Sequence, residues 1–355
     1  MISTPSKILI AYDYFPPIAE DLKEAFGRLG IEVEVLHASD HEHWFYKKII
    51  RRTNKLARNL RLIKKDVDLF AHHPLNRLNY LAQKLKDCCD LCPPEMIFFI
   101  HGQPYGAQVL DSLSVPKLGW WMEPNDDIGE LRVNAVPFDM YYSFSQRSLD
   151  LLKPEGFVVD YLCHSVSPER FYPISELPKK YDLCFVGNWS PWREEVILAA
   201  LKITKNIALY GPHWRKKSRL ISADLDAIHL GDHVFGTELN TLFNSSKVVL
   251  NASRIPGSHG LNMRFFEVLA TQACFLTDAP PELTRHFESE RHLMVFDDLE
   301  SLQKKLSLLL GDSDFRDGLA IAGYEHVLRH YTYDHMAQKL LNQYRQIISV
   351  NPPNL

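Results

Sequence analysis

The chain has no uninterrupted apolar run of the roughly 18 residues needed to span a bilayer, so a transmembrane helix is not expected. Its N-terminus (MISTPSKILIAYDYF) lacks a basic stretch followed by an apolar core. It therefore reads as a first strand rather than a secretory leader, and a cytoplasmic protein is expected. Neither sign of charge dominates: 40 Lys and Arg against 44 Asp and Glu leave a formal net charge of −4. The protein as a whole is not built to coat nucleic acid. Cysteine is sparse, at six in 355 residues. Cys88, Cys89 and Cys92 cluster in DCCDLCPPE, but no second Cys pair or spaced His pair follows, and a zinc site needs about four ligands. They read as reduced thiols flanking a turn before Pro93 and Pro94. Internal repeats and low-complexity tracts are absent, as is an Asp-x-Asp pair near a strand end, so no metal or other cofactor is expected.

What is present is ordinary globular composition, with 46% hydrophobic and 24% charged residues. The length favours two domains of about 150 to 180 residues. Short apolar segments rich in β-branched and aromatic residues alternate with helical patterns. In the first half they are Ser6 to Tyr12, Ile31 to Leu36, Glu95 to Ile100, Lys117 to Met122, Met140 to Phe144 and Phe157 to Leu162, with a helix near Ile18 to Leu29. This alternation predicts βαβ units and parallel sheets buried on both faces. The pattern pauses at His164 to Lys180, a segment with three prolines. It restarts with Tyr181 to Val186, Asn206 to Tyr210, His233 to Phe235, Lys247 to Leu250 and Cys274 to Thr277. Two doubly wound halves fit, one over residues 1–172 and one over 173–332. A final amphipathic helix, roughly 333–349, is long enough to pack across both and is expected back on the first. Ligands of such sheets bind beyond the carboxyl ends of the strands, in a cleft if two sheets face each other.

The segment VVLNASRIPGSHGLNMRFFEVLATQACFLTDAPPEL carries the most chemistry. A strand ends near Leu250, a polar loop runs to Gly260, and a helix opens near Asn262. A helix N-terminus offers N–H donors and the positive end of a dipole, which suits an anion. Arg264 adds a cation there, and Glu267, three residues on, projects from a similar face, where a carboxylate can accept from a ribose diol. The plainer reading of the same residues is a surface ion pair at the start of a helix.

Gly260, Asn262, Arg264 and Glu267 form a G-x-N-x-R-x-x-E core that resembles the C-terminal domain of GT-B glycosyltransferases, and most closely the CgeB-like group within the group 1 glycosyl transferases. The wider retaining members carry Glu-x7-Glu. Glu267 matches the second glutamate, whereas His259 stands at the first, the position that contacts sugar hydroxyls in that wider family. FVGNWSPWREE is similar to the first C-terminal strand and loop of the family, with Gly187 and Asn188 at the turn and Arg193 at a diphosphate-binding position. ALYGPHW, with Tyr210 and Gly211, resembles the strand whose loop approaches the nucleobase. DHVFGTELNTLFNSSKVVLNAS and HSVSPERFYP resemble the following helix-strand run and the hinge. The resemblance covers about residues 95 to 345. It implies an α/β GT-B fold, two Rossmann-like domains facing across a cleft, and a nucleotide diphosphate sugar as donor, UDP-sugar above all. Donor-site residues on these positions are Gly187, Asn188, Arg193, Tyr210, Gly211, His259, Gly260, Leu261, Asn262, Arg264 and Glu267.

Glycosyl transfer builds negative charge on the leaving diphosphate, for which Arg193 and Arg264 are the candidate stabilisers. An inverting enzyme also needs a base for the acceptor hydroxyl. Loops after the N-terminal strands offer His101 (beside Gly102), Glu123, Asp126 with Asp127, and Asp13. Each also has a plainer reading, as a helix cap, a loop acid or a structural histidine. The stretch Lys47 to Lys65 holds nine Lys or Arg and no acid. Ile49, Leu56, Leu60 and Ile63 recur in it at helical spacing, which predicts a basic amphipathic helix. It reads either as a solvated basic face over a packed stripe, or as a dock for anionic lipid or an acidic or phosphate-bearing acceptor, placing the enzyme at the inner membrane face.

The expected function is therefore hexosyl transfer from a nucleotide sugar to a glycan, lipid-linked or protein acceptor, without a metal. A GT-B epimerase or phosphorylase would use the same cleft, and a catalytically silent sugar-nucleotide-binding module would keep only the donor site.

Overall fold

The computed structural model describes residues 4–13, 16–64, 67–101, 105, 107–123, 125–219 and 222–350. The chain forms two compact units, one running to Leu162 and taking up the chain again from Met336, the other spanning Cys163–His335.

The first unit is built on a six-stranded sheet of β1 (Lys7–Tyr12), β2 (Glu32–His37), β3 (Met96–Ile100), β4 (Lys117–Trp121), β5 (Met140–Ser143) and β6 (Val159–Tyr161). Its order is β2-β1-β3-β4-β5-β6 and the pairs are parallel. Every residue of β3 (MIFFI) is buried, as a strand needs when helices cover both faces.

The second unit carries β7 (Tyr181–Val186), β8 (Ile207–Tyr210), β9 (His229–Gly231), β10 (Ser246–Asn251), β11 (Cys274–Asp278) and β12 (Met294–Phe296). They pair in parallel in the order β12-β11-β10-β7-β8-β9. Side chains alternate between two cores. Leu183, Phe185, Leu209 and Leu250 pack with Trp214 on one face, while Cys184, Ala208, Val249 and Phe275 pack with Phe265 and Phe266 on the other. Each unit is thus a doubly wound parallel α/β sheet, as the alternation of strands and helices predicted.

Three local expectations change. The segment His233 to Phe235 is not a strand. β9 lies four residues earlier, and exposed Phe235 precedes the helix Gly236–Asn244. The edge position explains the misreading, since β9 pairs on one side only, across an irregular register at Leu209 and Tyr210. β12 was not expected, because three buried residues on the opposite edge leave too short a signal. The Pro-rich segment is not a free linker. Val166 N–H donates to Tyr331 O at 2.9 Å. The side chains of Asn240 and Asn244 accept from Tyr172 N (3.2 Å) and Ile174 N (2.7 Å), which ties the segment into the second unit. The chain therefore divides at Leu162, ten residues before the expected boundary. The last helix, Tyr333–Val350, is bound to β6 through Lys339, whose Nζ donates to Tyr161 O (2.7 Å) and pairs with Asp160 (2.8 Å).

Candidate active site

In a doubly wound sheet the crossovers run to opposite faces where strand order reverses, and the loops leaving the two strands there part to leave a crevice. In the second unit this point lies between β7 and β10. The loop after β7 begins with Gly187 and Asn188, and the loop after β10 leads through Ser253 to His259 and Gly260.

Gly187 is fixed from several sides. Its N–H donates to Tyr210 O (2.9 Å), and its carbonyl accepts from Trp214 Nε1 (2.9 Å). Gly211, at φ +146°, passes so near that a Cβ there would lie 1.9 Å from Gly187 O. Only glycine fits, and Tyr210 and Gly211 are thereby brought onto the Gly187 turn.

Arg193 joins the two loops. It sits in the first turn of the helix Pro191–Ala200, where Ser190 Oγ accepts its backbone N–H at 3.3 Å. Its Nε donates to Ala252 O (2.9 Å), its Nη1 to Asn188 O (2.9 Å), and the guanidinium lies over the Phe185 ring. Burial pushes its pKa down to about 10, Arg254 and Arg264 act in the same direction, and Asp278 opposes them. The group stays charged at neutral pH. The Asp278 carboxyl is itself held up by burial and is occupied, accepting from Ser253 N (2.7 Å), Ser253 Oγ (3.2 Å) and Trp192 Nε1 (3.4 Å).

The helix Arg264–Ala270 has seven residues. Asn262 Oδ1 accepts from Arg264 N (3.0 Å), and Asn262 Nδ2 reaches Asn251 Oδ1 at 3.4 Å. Phe265 N donates to Asn262 O, and Phe266 N and Glu267 N donate to Met263 O. The expected open N–H groups are thus already used from Arg264 to Glu267, so an anion here would be held by side chains more than by these amides. Arg264 Nη1 forms an ion pair with Glu267 Oε2 and its guanidinium lies over the Phe243 ring. The plainer reading, an ion pair at the start of the helix, is thus formed, although it is largely buried rather than on the surface.

One residue escaped the sequence reading. Glu282, 2% exposed, accepts from Gly260 N at 2.7 Å and lies 3.0 Å from His259 Nδ1. A buried carboxylate thus stands behind His259, the residue that the resemblance sets against an acidic position. Twenty-two residues separate Glu282 from Gly260, so spacing gave no signal; only the flanking Pro280 and Pro281 hinted at a fixed turn.

The base candidates belong to the first unit, where the order reverses between β1 and β3. Asp13 follows β1 and pairs with Arg77, which also donates to Glu42 (2.9 Å). His101 follows β3 at φ +56°, stacks on Trp121 and accepts from Met122 N at 3.4 Å. Burial lowers its pKa, with Glu123 and Asp13 pulling the other way, so the three stand in one electrostatic neighbourhood. Gly102 lies outside the described residues. Glu123 is exposed. Asp126 pairs with Arg147 at 3.0 Å. Asp127 caps the helix Ile128–Ala135, accepting from Gly129 N and Glu130 N, so its role is structural. Cys88, Cys89 and Cys92 are free thiols.

Residues 193–342 match a family model described as glycosyl transferase-like. Sucrose-phosphate synthase from Thermosynechococcus elongatus superposes with a TM-score of 0.70 at 13% identity, covering 98% of this chain and 100% of that one. HepE of Anabaena, solved with UDP and glucose, superposes at 0.63 with 11% identity over 96% and 100%. A glycosyltransferase from Rickettsia africae gives 0.65 at 13% over 96% and 98%. No match was found among curated protein sequences.

Proposed function

Since residues 193–342 belong to the glycosyl transferase-like family and the whole chain has the GT-B fold, we propose that this glycosyltransferase takes its sugar from a UDP-sugar at the β7/β10 reversal. One observation carries the reading. Arg193 bridges the two loops that part at that point, desolvated and within electrostatic reach of Arg254 and Arg264. Guanidinium groups so placed suit a diphosphate, which can accept bidentate hydrogen bonds. Arg264 exchanges its pairing with Glu267 for the phosphates, and the freed carboxylate accepts from the ribose hydroxyls. Gly187, Asn188, Tyr210 and Gly211 shape the nucleotide end, and His259, Gly260, Leu261 and Asn262 the sugar end. Support for UDP comes from HepE, whose structures hold UDP or UDP-glucose.

Charge develops on the β-phosphate as its bond to the sugar breaks, and Arg193, already fixed in place, and Arg264, freed from Glu267 when the donor binds, stabilise it without a metal. The acceptor is a glycan, a lipid-linked sugar or a protein, with the base among His101, Glu123, Asp13 and Asp126. The basic segment 47–65 gives the enzyme a contact for an anionic surface, either lipid or a phosphate-bearing or acidic acceptor. Thermal stabilisation by a panel of nucleotide sugars tests the donor assignment, because ligand binding raises stability by mass action. A rise with a UDP-sugar that disappears in Arg264→Ala supports it. No rise with any member of the panel sinks it.

A further inference from the structure

The basic segment does not pack as an amphipathic helix ordinarily does. A π-helical turn, Tyr46–Ile50, runs into the helix Arg51–Asn59, and the residues turned to the core are Ile50, Asn54 and Ala57. That face is anchored by polar bonds: Asn54 Nδ2 donates to Asp68 Oδ1 (2.6 Å), and Asn54 Oδ1 accepts from Leu69 N (3.0 Å). Of the two readings of the apolar stripe, the packed one is not what forms: Ile63 is half-buried and the other three members are in solvent. Ile49 is 41% exposed, Leu56 59% and Leu60 60%, with Leu62 (72%) and Trp44 (65%) at its two ends. Spacings of seven and four residues put Ile49, Leu56 and Leu60 on one side of the helix. Arg52, Lys48 and Lys55 are exposed on the flank beside this stripe, and Arg51 lies further round; Lys47 pairs with Glu42 (3.5 Å) and Arg58 donates to Val67 O (3.0 Å).

We propose that this face, from Trp44 to Leu62, docks on an anionic lipid bilayer, with Ile49, Leu56 and Leu60 entering the acyl boundary and the surrounding lysines and arginines on lipid phosphates. The inference deepens the anionic-surface contact proposed above and rests on it, naming that surface as a bilayer. Charge and apolarity together select the occupant. A second copy of the chain would bring the same cations against one another. A nucleic acid or an acidic peptide would answer the cations but leave the leucines in water or against polar groups. A bilayer of anionic lipid answers both, and an indole such as Trp44 suits its interface. Among the described residues no helix is long and apolar enough to cross a membrane, so the contact is with the surface.

The test is flotation of the full chain with vesicles of phosphatidylcholine alone and of phosphatidylcholine with phosphatidylglycerol, beside retention on heparin. The protein is expected to float with the anionic vesicles, at low salt more than at high. Leu56→Ser with Leu60→Ser should reduce flotation at least about tenfold while leaving heparin retention unchanged. Arg52→Glu with Lys55→Glu should weaken both. Unchanged melting temperature and unchanged stabilisation by nucleotide sugar identify folded variants, and both pairs replace exposed residues. Retention on heparin without flotation, or flotation indifferent to the leucine pair, overturns the bilayer and leaves a contact made by charge alone. Binding to neither material sinks the anionic-surface reading as well.

Discussion

At the scale of single residues, the proposed donor site holds one ion pair that a ligand would have to open. Arg264 and Glu267 are paired, so removing either loses a ligand contact and also leaves its partner alone in a partly buried place. Arg264→Ala and Glu267→Ala are each expected to weaken nucleotide-sugar binding by about 1 to 3 kcal/mol, measured by calorimetry. Equal affinity in both folded variants would remove these residues from the donor site. Gly211 is a different case, since its requirement is steric. Gly211→Ala places a methyl into Gly187 O, and urea unfolding should show a loss of about 3 kcal/mol or more. The sequence marked Gly187, Arg193, Gly211, Arg264 and Glu267 because each lies in a short stretch with a local signature. Glu282 had none, since its importance comes from contacts with His259 and Gly260 across more than twenty intervening residues.

At the scale of elements, the loop after β10 is fastened at both ends by carboxylates from the segment that begins in β11. Asp278 holds Ser253, and Glu282 holds His259 and Gly260; residues 254–257 between them are exposed. Glu282→Ala should release one fastening only. Amide exchange of residues 254–260 is then expected to quicken while β7, β10 and β11 keep their protection. Uniform loss of protection across the unit would show a global rather than local role. The elements themselves were largely legible, because a buried parallel strand is an apolar run bounded by turns. β9 and β12 were misread or missed for one reason: both are three-residue edge strands with too little periodicity to register. The basic helix was read correctly as a helix, but its pattern left open whether the apolar stripe is packed or exposed. Its core contact is made by Ile50, Ala57 and a hydrogen-bonded Asn54, which a hydrophobic stripe does not reveal.

At the scale of the molecule, stability should depend on a group of histidines in the second unit. Burial pushes His286 down to about 4 and lowers His292 and His326. His292 and His326 stack at 4.0 Å, and His326 Nε2 lies 2.7 Å from His286 O. With folded pKa values below the unfolded value of about 6.5, the unfolded chain binds more protons in the interval between them. The stabilisation is present in full above that value and is lost as pH falls through the folded pKa values. The melting temperature should therefore drop as the buffer is taken from pH 7 toward about 4, with a shallower slope in His286→Asn. Identical slopes would remove His286 from the account.

The sequence by itself determined the number and parallel sense of most strands, the two α/β halves and the residues that resemble a donor site, all properties of short stretches of chain. Only the tertiary structure decided the order of the strands. That order sets the reversal between β7 and β10 and makes two of the six strand ends of that sheet the place where Arg193 links Asn188 to Ala252. It also put Glu282 behind His259 and left Leu56 and Leu60 in solvent. The physical reason is the same throughout: crossover direction and the burial of a given face depend on surfaces supplied by chain far away in sequence, and no local pattern encodes them.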